Sequence, residues 1–351
     1  YRAVAHVAIG GLTAHTGHFR DTVDELCQHI AVLHEFATLV AACPRRLEWA
    51  RGMGGYFMNT NLALMGLPLD DSATADGFEV AERLGLTDLR IYHLFSQIVR
   101  ASFIGDGSAF APPFAEMNDL MRKLGNPRLP ERNLAIYTPP YYLERGELEL
   151  ARAMIERTER LATLLPGDRW LKLYAAVYRT CLRIACAEDA PDSGTADTAD
   201  AAIRAAIDDA LAASRASDFR METLVLIYQS RFERARGDRA VAVAAAAAAL
   251  SRATDPLRGN PFDEILARRE LAELADRDDD AITELSRAMA LAAQTGNVLQ
   301  EGIVRLALAD RLWTADRPQA IGHFDAAEAR FTTARAEHWL KRAHDRRHRE
   351  P

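Results

Sequence analysis

Apolar positions along this chain recur at the three- and four-residue spacing of one helix face. Ile303, Leu306, Ala307, Leu312 and Trp313 do so in one stretch, and Leu224, Ile227, Tyr228 and Phe232 in another. Amphipathic helices with a broad buried stripe are therefore expected. The stretches are interrupted at Gly66, Gly85, Gly105, Gly125, Gly146 and Gly167, spaced by 19, 20, 20, 21 and 21 residues. Further breaks fall at Gly237, Gly259, Arg277, Gly296 and Asp316. A helix of about 15 to 17 residues with a turn of about 3 to 5 fills this period, so two helices make one unit of about forty residues. The pattern predicts an all-α chain of about 16 helices without strands, built as antiparallel helical hairpins.

Local signals sharpen the boundaries. Asp278 to Asp280 ahead of Ile282, and Asp168 ahead of Trp170, supply acceptors and negative charge where helix N-termini need them. Pro44, Pro130, Pro261 and Pro318 suit first helical turns. The run Ala242 to Ala249 has high helix propensity and little bulk, and reads as an inner packing helix. Residues 187–200, AEDAPDSGTADTAD, lack apolar periodicity and read as an exposed loop inside one hairpin. Over residues 44–66 a turn is blurred by Gly52, Gly54 and Gly55, which let helices cross closely or kink one helix. The expected organisation is tandem hairpins over 1–334, then a capping helix and basic tail over 335–351.

Composition narrows the picture. With 49% hydrophobic but only 7% aromatic residues, the core must be made mainly of Ala, Leu, Ile and Val. A formal charge of −7 gives no overall attraction to nucleic acid or an anionic membrane, and no stretch approaches the apolar length of a membrane span. The only lysines are Lys123, Lys172 and Lys341 among heavy Ala, Arg and Asp usage, as in GC-rich bacterial proteins. Cys27, Cys43, Cys181 and Cys186 form neither a C-x-x-C pair nor a disulfide framework, so a reducing cytoplasm is expected. The start at Tyr1 in place of Met reads as a piece of a longer polypeptide.

Catalytic and cofactor signatures are missing. No Gly-rich phosphate loop with its lysine occurs; Gly52-Met53-Gly54-Gly55 stands in a helical context without one. His344 and His348 share a helix face but sit among Arg346, Arg347 and Arg349, which oppose a cation; His15 with His18 and His34-Glu35 complete no zinc motif. Asp70-Asp71, Asp208-Asp209 and Asp278 to Asp280 do not repeat as paired magnesium-binding motifs. No nucleophile elbow is present. The expectation is a non-enzymatic chain with no cofactor and no metal.

Around several breaks the residues are more specific. Pro139, Tyr142, Gly146, Glu147, Ala151 and Ile155 form one set; Ser230, Gly237, Asp238, Ala242 and Ala246 a second; Gly10, Gly17, Thr22 and Leu26 a third; Asp316, Ala320 and Phe324 a fourth without the glycine. This pattern resembles the tetratricopeptide repeat, in which small residues seven before and five after the turn let two helices touch. The repeats here are longer than that family's, and Tyr142 has no aromatic counterpart at Glu233 or Thr13. The segment from Ala326-Ala327-Glu328 through Phe331, Ala334, Ala336 and Trp339-Leu340 to Ala343 is similar to the C-terminal ends of large bacterial signal-transduction ATPase regulators.

The resemblance implies a right-handed superhelical array, an α-solenoid whose concave face is lined by the first helix of each hairpin. Candidate partner-binding residues on that face are Tyr137, Tyr141, Arg179, Arg231, Arg268, Arg269 and Arg305, an Arg- and Tyr-rich set suited to segments with carboxylates or aromatic faces. The implied role is protein binding and sensing, which regulates an attached or partner signalling module. The partner is a protein or peptide, including an ATPase or effector part of the same polypeptide, with no nucleic acid and no membrane. An all-α enzyme with a central pocket and a passive scaffold are the alternatives.

Overall fold

The computed structural model describes residues 44–124, 128–189, 196–217, 219–256 and 259–348. Among the described residues the chain is helical throughout, without strands. In order the helices are α1 (Pro44–Leu64), α2 (Asp71–Leu84), α3 (Thr87–Ile104), α4 (Gly107–Leu124), α5 (Arg128–Tyr137), α6 (Pro139–Glu144), α7 (Leu148–Leu164) and α8 (Arg169–Asp189). They continue as α9 (Ala196–Ser217), α10 (Phe219–Ala235), α11 (Arg239–Ala253), α12 (Pro261–Leu274), α13 (Asp278–Thr295), α14 (Val298–Leu312), α15 (Arg317–Ala334) and α16 (Glu337–Arg347). None is long and apolar enough to cross a membrane. The hairpin pattern around Gly10 and Gly17, the pairs His15/His18 and His34-Glu35, and Cys27, Cys43 and Gly125 lie outside the described residues.

Helix ends fall on the expected breaks. Gly85 and Gly296 take left-handed φ values of 64° and 68°, and their N–H groups bond to carbonyls of the preceding turn, the usual way to close a helix without a Cβ penalty. Where glycine is missing, Arg277 and Asp316 are the N-cap residues of α13 and α15, and Asp316 accepts from the Gln319 N–H at 3.1 Å. Asp168 accepts from the N–H groups of Trp170 and Leu171, and Asp278 to Asp280 form the acidic first turn of α13.

Three expectations change. Residues 187–189 and 196–200, read as loop, belong to α8 and α9; alanine's helix propensity outweighs the scattered acids, and 190–195 lie outside the described residues. The Ala-rich α11 is not wrapped on all sides: Ala242, Ala245, Ala246, Ala249 and Ala253 are buried, while Val241 and Val243 are exposed. Gly52, Gly54 and Gly55 neither break nor end α1, which runs unbroken to Leu64.

The chain divides into two compact units, one holding the residues up to Phe103 with Ser108–Leu134, the other Ile104–Gly107 with Ala135–Pro351. In the second unit each helix from α6 to α16 packs on the next, and α8 with α10, α10 with α12, and α14 with α16 also touch. Helices α8, α10 and α12 thus lie side by side, as do α14 and α16. Pro139, Ala151, Ser230, Ala242 and Ala320, the small positions of the hairpin patterns, are all buried. Tyr178, Tyr228, Phe232, Phe324 and Phe331 fill what the alanines leave. Tyr178 spends its hydroxyl on the carbonyl of Ile136 at 2.5 Å, as a buried O–H must.

In the first unit α1, α2 and α3 meet at glycines. A Cβ on Gly52 would lie 2.7 Å from Leu89, and one on Gly77 would lie 2.0 Å from Nε2 of His93. That ring is fully buried, and its Nε2 stands 3.0 Å from the Gly52 carbonyl. Because a carbonyl only accepts, Nε2 carries the proton and Nδ1, which has no partner, is the bare nitrogen. Burial pulls the ring down to about 4, against the Gly52 contact, so it is neutral at pH 7. Asn59 ties α1 to the start of α2: its Nδ2 donates to Thr74 Oγ1 at 2.8 Å, and its Oδ1 accepts from the Asp70 N–H at 2.7 Å. Gly77→Ala forces His93 off its seat, and urea unfolding should show a loss of about 2 to 3 kcal/mol, the scale of core overpacking. An unchanged midpoint would show that the ring repositions without cost.

Candidate functional site

The short helix α6 opens on Pro139, whose fixed φ suits a first turn, and ends at Glu144 because Gly146 turns the chain at φ 73°. A Cβ on Gly146 would also come within 2.6 Å of His338 on α16, so the turn needs glycine for both its dihedral and its neighbour. The turn delivers two adjacent charged side chains, Glu144 and Arg145, into the second unit.

Glu144 is only 12% exposed and is held by groups from three helices. Arg231 of α10 donates to its Oε1 at 3.0 Å, as does the Tyr228 hydroxyl at 3.2 Å. Arg269 of α12 stands 3.5 Å from Oε2, and Gln300 of α14 donates to that oxygen at 3.2 Å. The network continues outward: Arg231 Nε bonds to Glu270 at 2.9 Å, and Arg269 donates to Gln300 Oε1 at 2.6 Å. Burial raises the Glu144 carboxyl, but the charges of Arg231 and Arg269 and the bonds from Arg231 and Gln300 outweigh it, so the group titrates below the usual carboxylate range. Burial lowers Arg269, against the pull of Glu144, yet a guanidinium stays charged at neutral pH.

Arg145, also buried, joins distant ends of the unit. Its guanidinium donates to the Ala334 carbonyl at 2.7 Å and to the Arg335 carbonyl, capping the C-terminus of α15 with a positive charge. Arg335 is itself left-handed, with φ 53°. Trp339 of α16 donates its indole N–H to the Glu144 carbonyl at 2.8 Å. Residues about 190 positions apart are thus in direct contact, and the end of α15 and the start of α16 return to the end of α6.

Inside this closure lies a cavity of about 550 Å³. Each inner helix presents a stripe at helical spacing: Tyr228, Arg231 and Arg234 from α10; Arg269, Glu270 and Glu273 from α12; Ile303, Leu306 and Ala307 from α14; Trp339, Arg342 and Arg346 from α16. Leu143, Glu144, Leu148, Ala185 and Leu285 complete much of the wall. Five arginines face three glutamates here, and Arg346 is also paired with Asp310 outside the lining. Tyr228, Glu270, Ile303 and Leu306 form a buried floor, while Glu273, His338 and Arg342 are exposed at the mouth.

The seven residues expected to bind a partner do not share one place. Arg231 and Arg269 line the cavity. Tyr141 is buried beneath Arg145, whose guanidinium lies 4.9 Å from its ring, and burial raises its hydroxyl well above the normal range. Tyr137 packs, half-buried, against the core. Arg179 of α8 grips Glu159 of α7, Arg268 bridges Glu264 and Glu284, and Arg305 holds Glu301. Every arginine of the set is engaged by a carboxylate or amide of its own chain. Sequence reasoning missed Glu144, Arg145, Arg234, Gln300, Trp339 and Arg342; the i, i+3 stripe Trp339–Arg342 was the only local signal for any of them.

Among the described residues, no three His, Cys, Asp or Glu side chains gather as a metal site. His344 and His348 pack with ring centroids 4.4 Å apart at the end of α16. Cys181 and Cys186 are free thiols, and burial pushes the Cys181 thiol up, away from nucleophilic character. No protein-family model matches the chain, and no curated protein matches it.

Glu144→Gln keeps the shape but strips the charge that Arg231 and Arg269 face, and chemical denaturation at pH 7 should show a loss of about 3 kcal/mol. The folded carboxyl lies below its ordinary 4.5, so its contribution is present above that pH and lost as pH falls through the lowered value. The stability gap between wild type and variant should therefore shrink in acid; a gap independent of pH would assign the loss to geometry, not charge.

Proposed function

We propose that this chain is a protein-interaction and sensor region: a right-handed, tetratricopeptide-like α-solenoid of antiparallel hairpins that regulates an attached or partner signalling module without catalysing a reaction. The observation that carries this reading is the convergence of Arg-bearing stripes from α10, α12 and α16 on one cavity of the inner face. Helices that served only as a scaffold need no such convergence, since solvated charges on separate faces would keep them equally soluble. The reading places the protein in the bacterial cytoplasm, where the partner is a protein segment or the chain's own effector part.

The mechanism is population shift. The array has a closed arrangement, held by Arg145 on the α15 terminus and by Trp339 on Glu144. A partner that binds the closed and open arrangements unequally moves the equilibrium by that difference and no more. The enzyme reading is the weaker one because the two least exposed carboxylates of the cavity are already neutralised, Glu144 by Arg231 and Arg269 and Glu270 by Arg231 and Arg234.

Tagged 1–351 should capture a partner by chemical cross-linking in bacterial lysate, and Arg234→Ala/Arg342→Ala in the cavity lining should lose it by about tenfold or more. Arg287→Ala on the outer α13 serves as the control that retains it. Capture unaffected by the double variant, with its melting curve unchanged, would move the interface elsewhere.

A further inference from the structure

The C-terminal helix α16 differs from its neighbours in how little holds it. Nine of the fifteen residues of α14 are buried, whereas among the described residues of α16 Ala343 alone is. The first turn of α16 has no side-chain cap. Trp339 and Leu340 pack half-buried on the core, with the indole stacked on Phe331 at 6.1 Å between ring centroids. Its polar attachments include the Trp339 N–H on the Glu144 carbonyl, Arg346 on Asp310, and Arg347 on Asp325 at 2.7 Å. Both ion pairs are partly exposed, and pairs of that kind contribute little and are screened by salt.

The connection to α15 has the form of a pivot. Arg145 grips the carbonyls of Ala334 and Arg335, and so fixes the end of α15 whatever α16 does. Arg335 stands at φ 53°, a region that residues other than glycine rarely adopt, and Ala336 follows it directly into α16. Rotation there swings α16 away and breaks the Trp339 bond, while α14 stays packed on α15. The same helix walls the cavity, to which it contributes His338, Trp339, Arg342 and Arg346. A volume of about 550 Å³ is that of a small-molecule pocket, whereas a helix with its side chains is about 10 Å across. A protein segment cannot seat on the inner face until α16 moves.

We propose that α16 is a lid on the inner face. Closed, it keeps a protein segment out; swung open about Arg335 and Ala336, it exposes the groove lined by α10, α12 and α14. The segment enters the open form, and α16 then flanks it, which keeps Arg342 in the binding face. Only the open fraction admits a partner, so the apparent affinity is reduced by that fraction. The inference rests on reading the inner face as the protein-binding face, but the opening is a property of the free chain and is measured on it.

The test is hydrogen exchange of the full chain. Amides of 337–347 should exchange as one cooperative unit, faster than those of α10 and α12 by about tenfold or more. Trp339→Phe keeps the ring and removes the bond to Glu144; it should speed exchange in α16 by about fivefold, the effect of one hydrogen bond, and leave α10 and α12 unchanged. Arg347→Gln, which loosens α16 from α15, should act in the same direction, and so should added salt on wild type. A second readout reports the groove itself. In a chain with Cys27, Cys43 and Cys186 changed to Ser, Ala307→Cys on the cavity wall is labelled with a polymer-bearing maleimide too bulky for the closed cavity. Trp339→Phe should speed that labelling by the same factor.

Protection that falls away residue by residue from Arg347 is end fraying and would overturn the lid. So would opening of α16 only together with α10 and α12, unchanged α16 exchange in folded Trp339→Phe and Arg347→Gln, or labelling at position 307 that ignores Trp339. If partner capture depends on Arg234 and Arg342 while α16 stays shut, the lid falls and the protein-binding reading stands. If α16 opens as described but capture ignores those arginines, the lid stands and the binding reading falls.

Discussion

The second unit depends on a carboxylate placed where a lone charge cannot remain. Glu144 is buried, and an unpaired ion there would cost several kcal/mol after relaxation. Its partners are supplied by α10, α12 and α14, whose sequence positions lie 84 to 156 residues away. Those helices must therefore stand at one distance from α6, so the ion network fixes the curvature of the row. Hydrophobic packing alone is less exacting, since Ala-rich faces slide over one another with little change in buried area. The polar network supplies the registry that the small-residue core leaves loose.

Arg145 adds a second constraint of the same kind. A helix C-terminus exposes carbonyls that need donors, and α15 receives its donors from a side chain at the opposite end of the unit. The same few residues, Glu144 to Gly146, thus serve as hub, cap and turn. Such density of roles makes the segment sensitive: changing any one of them disturbs contacts on α10, α15 or α16 together.

Much of the fold was legible because it is written locally. Glycines, N-cap acids and apolar stripes act within a few residues of where they stand, so the breaks at Gly85, Gly146, Gly237, Gly296 and Asp316 correspond to helix ends. Failures came where a local rule met a competing one. The acids of 196–200 suggested loop, yet alanines carried α9 through them; the turn expected within 44–66 does not form, although Gly52 and Gly55 do let helices cross closely, making room for Leu89 and His93. Pro112 and Pro113 lie inside α4, where spacing alone gave no reason to expect them. The site was less legible. Arg231 and Arg269 were found because arginines on first helices face inward, but nothing near them in sequence names Glu144 as their partner. Arg179, Arg268 and Arg305 obey the same local rule and are instead held by Glu159, Glu264 and Glu301. Helical phase tells which residues share a face, whereas the identity of the opposing charge is set by closure of the row.

That distinction bears on why a buried ion network is kept at all. Replacing a buried ion network by apolar residues of similar volume is often neutral or stabilising, so selection for stability alone gives little reason to keep Glu144 among arginines. A network does what an apolar contact does not: its energy depends steeply on geometry and on nearby charge. Arg231 bonds both Glu144 and Glu270, so the placement of α6 and that of α12 are linked through one shared side chain, and a disturbance of either carboxylate is felt at the other.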